Sequence, residues 1–236
     1  LLRQDDLLQQ ALERSLEMLA VDREMFVAAV RSLREQDDAR IKQDIYAIDQ
    51  KINAYEREVR RKVFTHLAVD ADRDLHGGLV LISIVIDIER IGDYTKNIVE
   101  LALHHPSRLH CGPFEDDVRR VETTVRTMFD LLLEALPARD VDKASEVMSE
   151  HWWIAKRSNG IVNDLLEHDT TGLQCREAVA VALYMRFLKR VSAHLMNIAS
   201  SIVNPFDRIG FRSDAPERGE PSQGVPPAPG GSQRGT

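Results

Sequence analysis

Apolar residues recur every three or four positions along nearly all of the first 204 residues, the spacing of helices that each bury one face. Leu8, Leu12, Leu16, Leu19, Phe26, Val30 and Leu33 predict a helix over about 5–34. The polar "REQDD" closes it, and Asp37 or Asp38 is placed to cap the next helix by accepting from its free backbone N–H groups. Ile41, Ile45, Ile48, Ile52, Tyr55, Val59 and Val63 form the clearest seam in the chain. "DADRD" interrupts, and a third helix runs to about residue 104, with Gly77–Gly78 near its start as a kink or a point of close packing. "HHPSRLHCGP" (104–113) reads as a linker. Three more helices follow, over about 114–135, 140–168 and from "DTTG" to about 204.

The second trio repeats the first. "IERIGDYTKNIVE" (88–100) lies over "LKRVSAHLMNIAS" (188–200), with Arg90 on Arg190, Ile91 on Val191, Asn97 on Asn197 and Ile98 on Ile198. The expected fold is therefore all-α: two tandem three-helix bundles, 1–105 and 112–204. The remainder, 205–236, is rich in Pro, Gly and Ser, has little to bury, and is expected to be disordered.

Composition agrees. The 236 residues are 43% hydrophobic and only 6% aromatic, and the helix breakers concentrate after residue 204. A net charge of −7 with no dominating basic face argues against a nucleic-acid binder. Cys111 and Cys175 stand far apart and in no CxxC pattern, which fits a reducing cytosol. The longest aliphatic run, 79–86, is far short of a spanning helix, and no charged-then-apolar leader opens the chain. The expected location is cytoplasmic, at most peripheral to the inner face of a membrane. The first residue is Leu rather than Met, which leaves room for upstream sequence.

One stretch stands out. In "LVLISIVIDIERIGDYTKNIVELA" an aliphatic run passes without a break into carboxylates. At about 100° per residue, Ile82, Ile86, Glu89, Asp93, Asn97 and Glu100 share one face. If Ile82 and Ile86 point inward, Glu89 and Asp93 do too. Like charges four apart repel, and a buried unpaired carboxylate costs several kcal/mol. A basic partner, a raised pKa or a metal ion would offset that cost. Carboxylate and amide oxygens suit a hard or borderline cation such as Mg²⁺, Mn²⁺ or iron. The alternative is a solvated face paired with Arg90 or Lys96. Asp49, Asn53 and Glu56, beside the Ile48–Ile52 seam, are candidate partners, with Glu56 the more solvated. Glu13 and Glu17 form a further i,i+4 pair with nothing to place it inward.

The matching face of the sixth helix has lost this chemistry: Lys189 replaces Glu89 and Ala193 replaces Asp93. A single site, in the first bundle, is expected, with Arg186 and Lys189 free to pair with Glu146 or Glu150. His104, His105 and His110 beside Cys111 read as inert linker residues, His151 as core, and His194 as lacking a triad partner. No phosphate loop, GxSxG or HExxH is present, so an enzyme is not expected.

"ERIGD" (89–93) followed by Asn97-Ile98 resembles the signature of the PhoU family, accessory regulators of phosphate-specific transport. "DLLQQALERSLEML" and "AIDQKINAYEREVRRKVFTHLAV" resemble the family's first two helices, and the likeness covers 1–204. The resemblance implies two three-helix bundles, each with an E/DxxxD-type motif able to hold a multinuclear iron or zinc cluster. It also implies restraint of a membrane phosphate transporter, signalling through a sensor histidine kinase, and no enzymatic activity. On this chain it carries Glu89, Asp93, Asn97 and Asp49 as metal ligands. Tyr94 stands where the family often has His, and Lys189 and Ala193 break the second motif.

Two other readings stay open: the cytosolic PhoU-like domain of a sodium–phosphate cotransporter, and a metal-free helical scaffold with ion-paired carboxylates. The apolar girth of the third helix also permits a homodimer.

Overall fold

The computed structural model describes residues 5–37, 44–69, 74–105, 107–168 and 172–212. Six long helices account for nearly all of them: α1 (Asp5–Glu35), α2 (Ile45–Val69), α3 (Leu75–His104), α4 (Glu115–Ala138), α5 (Val141–Glu167) and α6 (Cys175–Val203). Among the described residues there is no strand, and no helix is long and apolar enough to cross a membrane.

Local chemistry sets the helix starts. The Asp44 carboxylate accepts from Ala47 N–H at 3.1 Å, so the cap of α2 lies later than Asp37 or Asp38; Asp38 is outside the described residues. Asp74 takes a left-handed conformation (φ 58°) and accepts from Gly77 N–H at 3.0 Å. A β-carbon at 77 would lie 2.7 Å from that carboxylate, so Gly77 serves the cap. Gly78 lets α3 approach Val63 and Leu67 of α2, which is close packing rather than a kink. Asp140 accepts from two N–H groups of α5, and Gln174 with Glu177 forms a capping box on α6. Pro137 is accommodated in the last turn of α4, so that helix runs three residues past the expected turn.

α1, α2 and α3 pack on one another, as do α4, α5 and α6. The two bundles then join through α1 against α4 and α3 against α6. Both contacts are antiparallel: Arg23 meets Asp130 while Arg34 meets Glu122, and Tyr94 meets Arg190 while Asp87 meets His194. The Phe26 and Phe129 rings meet at a tilt across the seam with centroids 5.6 Å apart, and a single hydrophobic core runs through both bundles.

Position in this assembly explains the composition of α3. It packs against α1, α2 and α6, so it buries a wide face: Leu81, Ile84, Val85, Ile88, Ile91, Ile98 and Val99. Its apolar girth is thereby used within the chain. The inward line is not the one through Ile82 and Ile86. Ile86 is 40% exposed and Ile82 is half-buried, so their line marks the flank of the helix. Packing on three neighbours makes more than one face apolar, and periodicity alone cannot rank them.

Buried polar contacts lock the seam. Arg34, 6% exposed, donates to Glu122 at 2.9 Å, to Glu115 at 2.6 Å and to the Leu109 carbonyl. The buried Tyr184 hydroxyl donates to the same Glu122 oxygen at 2.9 Å. Leu109 N–H returns to the Leu33 carbonyl at 2.8 Å, tying the linker to the end of α1. On the other side of the seam, Asp87 accepts from His194 at 2.8 Å and Asn197 at 2.9 Å, and Tyr94 stacks on His194. An aspartate thus does neighbour His194, supplied by the other bundle.

Residues 205–212 differ from the expected tail. A short 3₁₀ turn, Phe206–Arg208, contacts α3, Gly210 N–H donates to Ser200 at 2.7 Å, and Arg212 covers the Trp152 ring at 4.0 Å. The rest of that segment lies outside the described residues.

Candidate metal centre

The acidic residues of α3 gather with acids from α1 and α2. Gly92 is a point of close approach. A β-carbon there would stand 3.0 Å from Oδ1 of Asp22 and 3.1 Å from Cδ1 of Ile52. The glycine of "RIGD" therefore admits an α1 carboxylate against the face of α3. Asp22 is wholly buried, and neither of its oxygens has a hydrogen-bond partner. Thr95, one turn along α3, is also buried with its hydroxyl unpartnered.

The electrostatics identify the neighbours. Burial pushes the Asp22 carboxyl well above the usual carboxylate range, and the charges of Glu89, Asp49 and Asp93 add to the shift. Glu89 is raised by burial and by Asp93, with Arg90 opposing and Glu56 and Asp49 contributing. The charges of Asp49, Glu89 and Asp93 are thus felt at Asp22 across three helices, and that of Glu56 at Glu89.

Two cations lie beside these carboxylates. Lys96 Nζ lies 2.9 Å from Asp49 Oδ1 and 3.2 Å from Asp93 Oδ1. Burial disfavours its charge, but the two carboxylates outweigh burial and its pKa is raised. Arg90 reaches Asp93 at 3.2 Å and Glu89 at 3.7 Å. Asn53 donates to Asp49 at 3.4 Å.

The expected ligands therefore divide. Asp49, Glu89 and Asp93 come together; Asn97 is half-buried, one turn farther along α3, with no side-chain hydrogen bond among the described residues. Glu56 is nearer the cluster than a solvated flank implies: its side chain is 14% exposed and pairs with Arg60 at 2.8 Å. Glu13 and Glu17 are exposed and engage Gln9 and Arg14 on α1 itself. Asp22 is the residue that sequence reasoning passed over. It lies three residues after Leu19 and four before Phe26, on the apolar stripe of α1.

Carboxylates are the donor type that hard or borderline cations take, and one of these is buried without a partner. The arrangement is not a closed coordination shell. Among the described residues, no three or more His, Cys, Asp or Glu side chains are grouped to hold a metal ion. Lys96 and Arg90 already satisfy part of the set.

The corresponding region of the second bundle is built differently. Lys189 donates to Asn159 at 2.8 Å and not to Glu146 or Glu150, and burial with Arg186 and Arg190 lowers its pKa. His151 is buried, with Nδ1 3.0 Å from Ser192 Oγ, and burial and then Lys189 lower its pKa to about 4. In the linker, the ring nitrogens of His104 and His105 contact nearby backbone carbonyls, while Cys111 is buried.

Comparison with known proteins places this architecture. The PhoU domain matches residues 15–102 and again 118–202. The phosphate-specific transport system accessory protein PhoU homolog of Caulobacter vibrioides is 25% identical over 168 residues, covering 70% of this chain and 73% of that protein. The homolog of the same name from Pseudomonas aeruginosa is 25% identical over 178 residues, covering 74% and 73%. The crystal structure of PhoU from Pseudomonas aeruginosa superposes with a TM-score of 0.73 at 23% identity, over 84% of this chain and 96% of that one. The phosphate transport system regulatory protein PhoU from Streptococcus pneumoniae gives 0.75 at 19% identity, over 85% and 95%. These two structures share the fold. With both bundles matched by its domain, this chain belongs to the PhoU family.

Proposed function

We propose that this chain is a cytoplasmic accessory regulator of phosphate uptake. It acts by protein contact with a membrane phosphate transporter and a sensor histidine kinase, and it is not an enzyme. The observation that carries this reading is the double PhoU-domain match over a six-helix fold. The relatives' names supply the link to phosphate-specific transport. A divalent metal held by Asp22, Asp49, Glu89 and Asp93 is the structural or sensing element. The unpartnered Asp22 carboxylate supports it, because a proton alone leaves that group buried without a hydrogen bond. The competing reading, a metal-free scaffold, is favoured by Arg90, which lies within ion-pairing distance of both Glu89 and Asp93.

Phosphate uptake in the source cells with this gene deleted tests the regulatory role. In phosphate-rich medium, uptake is expected to rise several-fold and to return to normal on re-expression. Uptake that stays level or falls contradicts the proposal.

A further inference from the structure

We propose that the cavity between the ends of α1, α3, α4 and α6 is a binding site for a small amphipathic carboxylate, held by Arg139. None of its lining residues belongs to the acidic group around Gly92, so the site stands whether or not a metal binds there.

The cavity forms where two helices begin and two end. α1 and α3 contribute residues near their N-termini, and α4 and α6 residues at their C-termini. The opposed helix dipoles offset one another, and the side chains decide the charge of the site. Its volume is about 370 Å³, at the small end of ligand cavities. Leu12, Val80, Leu81, Ile84, Leu136 and Ile202 supply an apolar wall that suits an alkyl or aryl group.

The polar side chains around that wall leave one charge uncommitted. Gln9 donates to Glu13 at 3.0 Å, Ser201 to the Ile198 carbonyl at 2.7 Å, and Asn204 to the carbonyls of Arg208 and Phe211. The Asp74 carboxylate accepts from Gly77 N–H at 3.0 Å. His76 meets the Phe206 ring edge-on, with centroids 6.3 Å apart. The exposed Arg139 guanidinium has no hydrogen bond, ion pair or ring contact among the described residues. A planar fork of N–H donors beside an apolar wall matches a carboxylate on an apolar body, because the fork can pair with both oxygens.

The backbone supplies an independent observation. Among the described residues, Asp74 and Arg139 are the two non-glycine positions with positive φ, 58° and 52°, and both line this cavity. Asp74 is accounted for by its cap on α3. Arg139 ends α4 in the left-handed conformation that glycine adopts without strain. Arginine at that position is a conformational cost to the fold, and it sets a guanidinium at the rim of the cavity.

The test is calorimetric titration of sodium octanoate into the full chain, beside 1-octanol and an Arg139→Gly variant, with thermal melts of both proteins. Wild type is expected to bind octanoate at a single site in the millimolar range. It is expected to bind 1-octanol, which has the same chain length and no charge, at least tenfold more weakly. Arg139→Gly is expected to bind octanoate at least tenfold more weakly while melting at or above the wild-type temperature. That combination separates recognition from folding, because loss of a purely structural arginine would lower the melt. Octanoate and octanol binding alike, equal binding by Arg139→Gly, or no binding at millimolar octanoate overturns the proposal. If Arg139→Gly melts well below wild type, Arg139→Asn, which also tolerates the left-handed backbone, supplies the same comparison.

Discussion

A side-chain carbon at residue 92 would stand 3.0 Å from the Asp22 carboxylate, so Gly92 and Asp22 are fitted to each other across the α1–α3 contact. The glycine is what allows a buried acid to lie against the helix carrying Glu89 and Asp93. This contact accounts for the change of an apolar helix line to acidic residues along α3. That line is the flank of α3, where α1 and α2 bring further carboxylates to meet it.

Gly92→Ala tests that fit. Alanine favours a helix interior by roughly 0.5–1 kcal/mol over glycine. Overpacking against the buried Asp22 and Ile52 costs about 1–3 kcal/mol. Urea denaturation is expected to show a net loss of about 1 kcal/mol, diminished when Asp22→Ala is added. A Gly92→Ala protein as stable as wild type would show that the contact yields.

His151 gives a pH dependence of definite sign. Its folded pKa of about 4 lies below the ordinary 6.5, because burial and then Lys189 disfavour the charged ring. Between those values the unfolded chain binds more protons, so stability rises with pH across the window and is lost as pH falls through it. The full effect is about 3 kcal/mol. His151→Gln is expected to flatten the stability profile between pH 4 and 6.5, measured by denaturation at fixed salt. An unchanged slope would mean that the ring is not held neutral.

Arg34 is predicted to be the most sensitive position in the seam. It is nearly fully buried and pairs with Glu122, whose carboxyl is also buried. Arg34→Met leaves Glu122 with the Tyr184 hydroxyl alone, a loss of about 3–5 kcal/mol by analogy with other broken buried pairs. Glu122→Gln in the same protein is expected to restore a large part of it. Denaturation midpoints of the single and double variants supply the comparison; a loss under 1 kcal/mol in Arg34→Met would contradict the prediction.

Much of the fold was legible because the apolar spacing is local. All six helices lie where Leu8–Leu33, Ile41–Val63 and their counterparts place them, Ile41 itself being outside the described residues, with ends shifted where Asp44 caps α2 or Pro137 is tolerated in α4. The site was legible in part. Glu89, Asp93 and Asp49 come from motif and spacing, whereas Asp22 is an acid on an apolar stripe, a signal present in the sequence but easily read past. The Arg34–Glu122 and Asp87–His194 pairs had no such signal. They exist only because α1 docks antiparallel on α4 and α3 on α6, and no local pattern encodes which helices of two bundles will meet.

The metal centre is tested most directly by metal content. Mass spectrometry is to be run on protein purified without an affinity tag, beside an Asp22→Ala/Glu89→Ala/Asp93→Ala variant checked for folding by circular dichroism. The account predicts about one or more equivalents of metal in wild type and a loss to background in the variant. Metal absent from wild type after growth in iron-, manganese- and zinc-supplemented medium, with the variant equally stable, would contradict it and leave the carboxylates as partners of Arg90 and Lys96 alone.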